Sequence, residues 1–220
     1  MKITTDPVLV FFIIAAAVWI KRSVSALITL FHAPRLSRNV LSGSRAKVSI
    51  LVPAKNEASN IRACVEGLKA LDYPDFEIIV INDNSTDQTE EILLSLGASP
   101  ASPPSEDPSL TLRYLNSPPA PAGWTGKNHA LAAGFPYAKG EWLLFTDADT
   151  RHEPESLKAS LGLMEKRGAL LLTLLPRCLA DGFWETVLQP VAMALMGLWF
   201  PVERSMIRKV KFILAMASTF

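Results

Sequence analysis

A chain of 220 residues with 49% apolar content can enclose one sizeable core and still carry an appendage. Its 22 basic and 21 acidic residues leave a formal net charge of +1, which by itself says nothing about partners; no nucleic-acid partner is expected. Cys64 and Cys178 stand outside any CxxC or metal-ligand spacing and read as reduced, partly buried thiols, while the scattered His32, His129 and His152 form no ligand pair.

The chain opens on "PVLVFFIIAAAVWI" (7–20), unbroken apolar sequence, and resumes with "VSALITLF" (24–31) after Lys21, Arg22 and Ser23. A membrane span needs roughly 20 apolar residues, so the first run must continue toward Phe31 or rely on snorkelling by Lys21. No acid occurs between Pro7 and Asn56, whereas Lys21, Arg22, Arg35, Arg38, Arg45 and Lys47 are basic. A cleaved signal peptide would carry its positive charge before the apolar run; here the charge follows, which favours a retained anchor over residues 1–46 with the rest of the chain on the cytoplasmic face of the inner membrane.

"KVSILVP" (47–53) has the β-branched content of a strand, and "EASNIRACVEGLKAL" places Ile61, Val65, Leu68 and Leu71 on one helical face. "FEIIVIN" (76–82) is a second strand, followed by a helical segment in which Ser85 and Gln88 have the spacing of a capping box. Residues 97–110, with four prolines and four serines, read as a mobile surface loop. Strands are expected at 111–115, 141–146 and 169–175, with helices over 126–138 and 154–168 between them. Strands alternating with helices predict an α/β domain over 47–180, built on a mostly parallel sheet with flanking helices. Beyond it, 181–220 holds an apolar run over 187–202 bounded by charge, expected to lie in the membrane surface or to span it, and then a basic tail.

In an open parallel sheet, ligands bind beyond the carboxyl ends of the strands. "PAKNE" (53–57), "NDNSTD" (82–87) and "DADT" (147–150) each follow a predicted strand, so the three clusters share one edge and make an acidic crevice there. Taken singly, each is equally well a helix cap or a solvated turn. Together they suit a cation: Asp147 and Asp149, flanking one small residue, can hold a divalent ion of the Mg²⁺ or Mn²⁺ kind whose remaining positions go to phosphate oxygens and water.

The segments "VSILVPAKNEASNI", "YPDFEIIVINDNSTDQT" and "AKGEWLLFTDADT" resemble the nucleotide-sugar-binding half of family 2 glycosyltransferases of the GT-A fold, over residues 47–180. "PAGWTGKNHAL" and "LPRCLADGFWETVLQP" are similar to a membrane-anchored subgroup that includes hopanoid-associated glycosyltransferases, with ceramide and carotenoid glycosyltransferases more distant. The resemblance implies a nucleotide-sugar site formed by Pro53, Ala54, Asn56, Glu57, Asp83, Lys127, Asp147, Ala148 and Asp149. Within it, Asp83 contacts the base, commonly uracil, Lys127 lies near the diphosphate, and Asp147 and Asp149 form the metal motif, with Asp149 the direct ligand. Asn82 stands where many relatives have a second aspartate and leaves less negative charge there.

The resemblance further implies an inverting transfer from a nucleotide-diphospho-sugar, UDP-linked, to a lipid or polyisoprenoid acceptor at the membrane, assisted by an aspartate base in a later segment. Asp181 and Glu185 are the nearby acids after the metal motif, and neither is assigned as the base. The chain ends at Phe220, where the subgroup is expected to continue, so the base is expected beyond it. A donor-binding part or pseudoenzyme without transfer activity is the alternative. A sugar nucleotidyltransferase would need a glycine-rich loop after the first strand, and "PAKNEASN" has no glycine.

Overall fold

The structure is a computed structural model that describes residues 6–32, 36, 41–101, 111–174, 182–184, 188, 192 and 212–215. The chain divides into two units, one containing the N-terminal helix and the other the α/β domain. In the first, helix α1 (Pro7–His32) runs unbroken for 26 residues, about 39 Å at 1.5 Å per residue, against a hydrocarbon core of roughly 30 Å. Asp6 starts it, its carboxylate accepting the Val8 N–H at 2.9 Å. Its Pro7–Val24 window has a mean hydropathy of 1.9 and is not buried, so one helix among the described residues is long and apolar enough to cross a membrane.

The second unit is a 7-stranded sheet. Its strands are β1 (Val48–Ala54), β2 (Phe76–Asn82), β3 (Ser99–Pro100), β4 (Leu112–Asn116), β5 (Trp142–Phe145), β6 (Leu171–Leu174) and β7 (Phe212–Ala215), in the order β3-β4-β2-β1-β5-β7-β6. Every pairing is parallel. The helices are α2 (Ile61–Lys69), α3 (Thr89–Ser95), α4 (Gly126–Gly134) and α5 (Ser156–Arg167).

Alternation along the strands sends side chains to two cores. Val48, Ile50 and Val52 of β1 and Ile78 and Val80 of β2 pack with Ile61, Cys64, Val65 and Leu68 of α2, Leu93 of α3 and Leu157, Leu161 and Met164 of α5. Leu51, Ile79 and Ile81 face the other way, onto Ala130 of α4. The central strands are thus covered on both faces, which explains why β1 and β2 read as continuous apolar runs. A Cβ on Gly134 would come within 2.7 Å of Ile81, so the absence of a side chain lets α4 lie directly on β2.

Two local expectations fail. Ser99–Pro100, read as part of a mobile loop, forms a short edge strand on β4, anchored by buried Ala98 and by the Ala101 N–H donating to Tyr114 O at 2.7 Å. The capping box at Ser85 and Gln88 does not form. Gln88 is the residue before α3 and makes no side-chain cap, because Ser85 Oγ instead accepts the Asn56 N–H at 2.9 Å and Asp87 receives the Thr89 N–H at 3.0 Å. β7 adds a strand from the segment read as a basic tail, lying between β5 and β6. The apolar run at 187–202 lies outside the described residues apart from Leu188 and Ala192, as do Cys178, Asp181 and Glu185.

A buried ion pair ties the sheet to the loop before β5. Glu77 of β2 accepts from Arg113 of β4, from Ser49 Oγ at 2.6 Å and from the Lys139 N–H at 2.7 Å, while Arg113 also donates to Tyr137 O at 3.0 Å. Both side chains are almost wholly shielded, at 3% and 6% exposure, so neither partner can be rehydrated if the other is lost. Arg113→Met should therefore destabilise the domain by about 3–5 kcal/mol, the cost of an uncompensated buried charge, as a shift in the urea midpoint of unfolding.

Candidate functional site

Parallel pairing of β2, β1 and β5 brings the ends of all three strands to one edge. Pro53 and Ala54 end β1 and lead into the first loop. Ala54 O accepts the Asp83 N–H at 2.8 Å on the β2 side, and Leu51 O accepts the Thr146 N–H at 3.2 Å on the β5 side. Alternation places the Pro53 nitrogen toward β5, where pairing has ended at Leu51 and Phe145, so proline costs no ladder bond there. Asn56 then takes φ of 57° and Asn84 φ of 53°, the left-handed region that asparagine tolerates better than most residues.

These two turns are stitched together. Asn56 Oδ1 accepts the Thr86 N–H at 2.8 Å, the Glu57 N–H donates to Thr89 Oγ1 at 2.9 Å, and the Ala58 N–H donates to Asp87 Oδ2 at 3.0 Å. Thr89 also donates its hydroxyl to Asp87 Oδ1 at 2.5 Å, which holds that carboxyl below the usual carboxylate range. Glu57 turns to its own helix and accepts from Asn60 Nδ2 at 2.9 Å. Asn82, buried, donates to Asn116 Oδ1 at 2.8 Å and accepts the Ser85 N–H at 3.2 Å, so the position where relatives are expected to carry an aspartate joins β2 to β4.

Asp83 is buried beneath α4. A Cβ on Gly126 would lie 2.6 Å from Asp83 Oδ2, so only glycine lets the helix start press against that carboxylate. Lys55 Nζ stands 3.5 Å away on the solvent side. Next along the edge, the turn Asp147–Thr150 closes through the Thr150 N–H to Asp147 O at 3.3 Å. Ala148 is buried at 3% exposure, while Asp147 is half-buried and Asp149 exposed. Lys127, in the first turn of α4, places its Nζ 2.5 Å from Asp147 Oδ1. Among the described residues no hydrogen bond or ion pair reaches the Asp149 carboxylate. All nine residues of the expected site thus lie at strand ends, on loops or at a helix start along this one edge.

Among the described residues there is no group of three or more His, Cys, Asp and Glu side chains able to enclose a metal. An all-oxygen pair such as Asp147 and Asp149 nevertheless fits a hard divalent cation whose other positions are filled by diphosphate and water. Sequence reasoning missed the supports: Lys55, Ser85, Thr86, Asp87 and Thr89, and the Asn116–Ser117 end of β4, where Ser117 Oγ meets His129 Nδ1 at 3.3 Å. Parallel pairing of β4 with β2 was the available signal for the last of these. Trp124, 52% exposed, stands edge-to-face on His129 beside them.

Behind the acidic turn, Thr146 Oγ1 bonds both Thr150 Oγ1 at 2.7 Å and His152 Nε2 at 2.8 Å. Cys64 Sγ sits beneath, 3.7 Å from Asp147 O, and burial pushes its thiol up to about 12, as expected for an inert reduced cysteine.

Such a sheet, with its polar crevice at the carboxyl edge, defines an α/β domain of the GT-A type. The chain belongs to glycosyl transferase family 2, whose model matches residues 49–215. It is 32% identical over 186 residues to the beta-monoglucosyldiacylglycerol synthase of Nostoc sp., covering 83% of this chain and 37% of the relative. It is 38% identical over 132 residues to the probable glycosyltransferase YdaM of Bacillus subtilis, covering 57% of this chain and 29% of that protein. The chain therefore spans about a third of the length of these curated relatives. The mannosyltransferase PcManGT of Pyrobaculum calidifontis, solved in complex with GDP-Man and Mn²⁺, superposes with a TM-score of 0.52 at 23% identity over 74% of this chain and 47% of its own, a likeness of fold.

Burial lowers the His152 pKa from 6.5 to about 4, so the folded protein holds a neutral imidazole against Thr146. Below about pH 6.5 the unfolded chain takes up a proton that the native state refuses, and stability falls until about pH 4, where the native imidazole also protonates. The contribution lost is on the order of 3 kcal/mol. Urea unfolding between pH 7 and pH 4 should show this loss, and His152→Asn should have a shallower pH dependence than the wild type.

Proposed function

We propose that this chain is the donor-binding part of a membrane-associated glycosyltransferase that moves a sugar from a nucleotide-diphospho-sugar, UDP-linked, to a lipid acceptor at the cytoplasmic face with inversion at the anomeric carbon. The observation that carries the reading is the convergence of Asp83, Lys127, Asp147 and Asp149 on one carboxyl edge of a parallel sheet. Pro53, Ala54, Asn56 and Glu57 form the wall of the base pocket, with Asp83 at its floor as the acceptor for the base's N–H groups. The α4 start and Lys127 face the diphosphate, supplying a helix N-terminus and one ammonium.

Asp147 and Asp149 would hold a divalent cation, which would supply Lewis-acid stabilisation to a departing diphosphate. The chain's own contribution is to keep both carboxylates turned outward, with Ala148 packed inward, and to hold the turn rigid through Thr146, Thr150 and His152. A lipid acceptor is supported by the apolar α1 and by the Nostoc relative, whose name is that of a glucosyldiacylglycerol synthase. The resemblance of "PAGWTGKNHAL" to hopanoid-associated glycosyltransferases supports a lipid or polyisoprenoid-type acceptor. The alternative, nucleotide binding without transfer, is separated by radiolabelled sugar transfer to membrane lipid.

Calorimetric titration with UDP should show binding that EDTA weakens. Asp149→Ala should lower UDP affinity in Mn²⁺ by about tenfold or more, since even an outer-shell partner of a metal is worth that much. Equal affinity with and without metal would overturn the donor reading.

As the membrane anchor of this enzyme, α1 holds its carboxyl side in the cytoplasm, in keeping with the basic residues from Lys21 to Lys47. A reporter enzyme fused after Lys47 should be active in the cytoplasm; periplasmic activity would reverse the orientation.

A further inference from the structure

Two acids of the crevice already carry a lysine: Asp83 has Lys55 at 3.5 Å, and Asp147 has Lys127 at 2.5 Å. Lys127 is in an awkward place for a cation. It occupies the first turn of α4, where the helix dipole disfavours positive charge, and that turn holds no acid to offset it. The side chain is 51% exposed and could extend into water, yet it lies on the carboxylate oxygen that a divalent cation would need. A diphosphate entering at the α4 start would offer the same ammonium an anion of higher charge.

We propose that Lys127 is a counter-ion latch on Asp147: it withholds the carboxylate from a lone divalent cation and releases it when a diphosphate takes over the ammonium. The inference rests on the donor-site reading above. Its consequence is coupling. Cation and nucleotide bind poorly apart and well together, and by linkage each raises the affinity of the other by the same factor. Lys127 thus acts as a positioning residue for Asp147 in the empty site and as a diphosphate ligand in the filled one.

The test uses the full chain in detergent, with Mn²⁺ followed by the paramagnetic resonance of the free ion and UDP by calorimetry. Lys127→Met should bind Mn²⁺ alone more tightly than the wild type, by about three- to tenfold, the scale of a half-exposed charge pair. The same variant should bind UDP in Mn²⁺ more weakly, so the factor by which UDP improves Mn²⁺ affinity shrinks. Lys127→Arg, which keeps the charge, should retain the low affinity for Mn²⁺ alone. Thermal unfolding of each variant should match the wild type, since the replaced side chain is half exposed.

Mn²⁺ affinity that is unchanged or reduced in Lys127→Met, including no binding by either protein, overturns the latch. If UDP affinity falls at the same time, Lys127 is a diphosphate ligand alone and the donor site stands. Insensitivity of both Mn²⁺ and UDP to Asp149→Ala overturns the donor-site reading and the latch with it.

Discussion

Parallel strand pairing is the constraint on which the site depends. Because β2, β1 and β5 run the same way in register, the loops after Ala54, Asn82 and Phe145 must emerge on one side, and the helices that follow must return across the faces. Apolar side chains from both faces bury the strands so completely that the polar residues of these loops have no other place to gather. The buried Glu77–Arg113 pair belongs to the same logic. It joins β2 and β4 to the residues before β5 and fixes the lateral order of the strands whose far ends form the crevice.

The crevice loops after β1 and β2 are tied to each other by side-chain hydrogen bonds. Asn56 and Asn84 adopt left-handed backbone, and their loops are joined through Ser85, Thr86, Asp87 and Thr89 by side-chain bonds to backbone N–H groups. Several polar residues in a row therefore serve two loops at once, which leaves few of them free for a ligand. Glu57 is an instance: its carboxylate serves Asn60 and its N–H serves Thr89, so it shapes the pocket more than it faces it.

What could be read from the sequence was what has a local signature. The β-branched runs of β1 and β2 and the Ile61, Val65 and Leu68 face of α2 were legible because periodicity reports burial directly. The common edge was legible because it follows from strand direction alone. Long-range partners were not. The Ser85 hydroxyl satisfied a local capping pattern, but the Asn56 N–H, 29 residues away, competes for it and wins. β3 escaped notice because an edge strand needs only a few backbone bonds and no apolar run. β7 lay in a segment whose charge masked four residues, and a strand that pairs with β5 and β6 far back in the chain leaves no short-range trace. Likewise Lys127 and Asp147 were each expected at the site, while their contact across 20 residues had no local signature.

The two like charges of Asp-Ala-Asp are tolerable for reasons that differ between them. Ala148 is buried in the core with Cys64 of α2, and a larger side chain there would lift the turn off the helix. Its inward position leaves Asp147 and Asp149 toward solvent. Asp147, half-buried, has its charge met by Lys127, as Asp83 has Lys55, whereas Asp149 is exposed and no hydrogen bond or ion pair among the described residues reaches it. On the proposed donor-site reading, a divalent cation approaching the edge would meet Asp149 first and would have to displace a lysine to reach Asp147. The order in which charges would arrive then follows from which carboxylate is already paired.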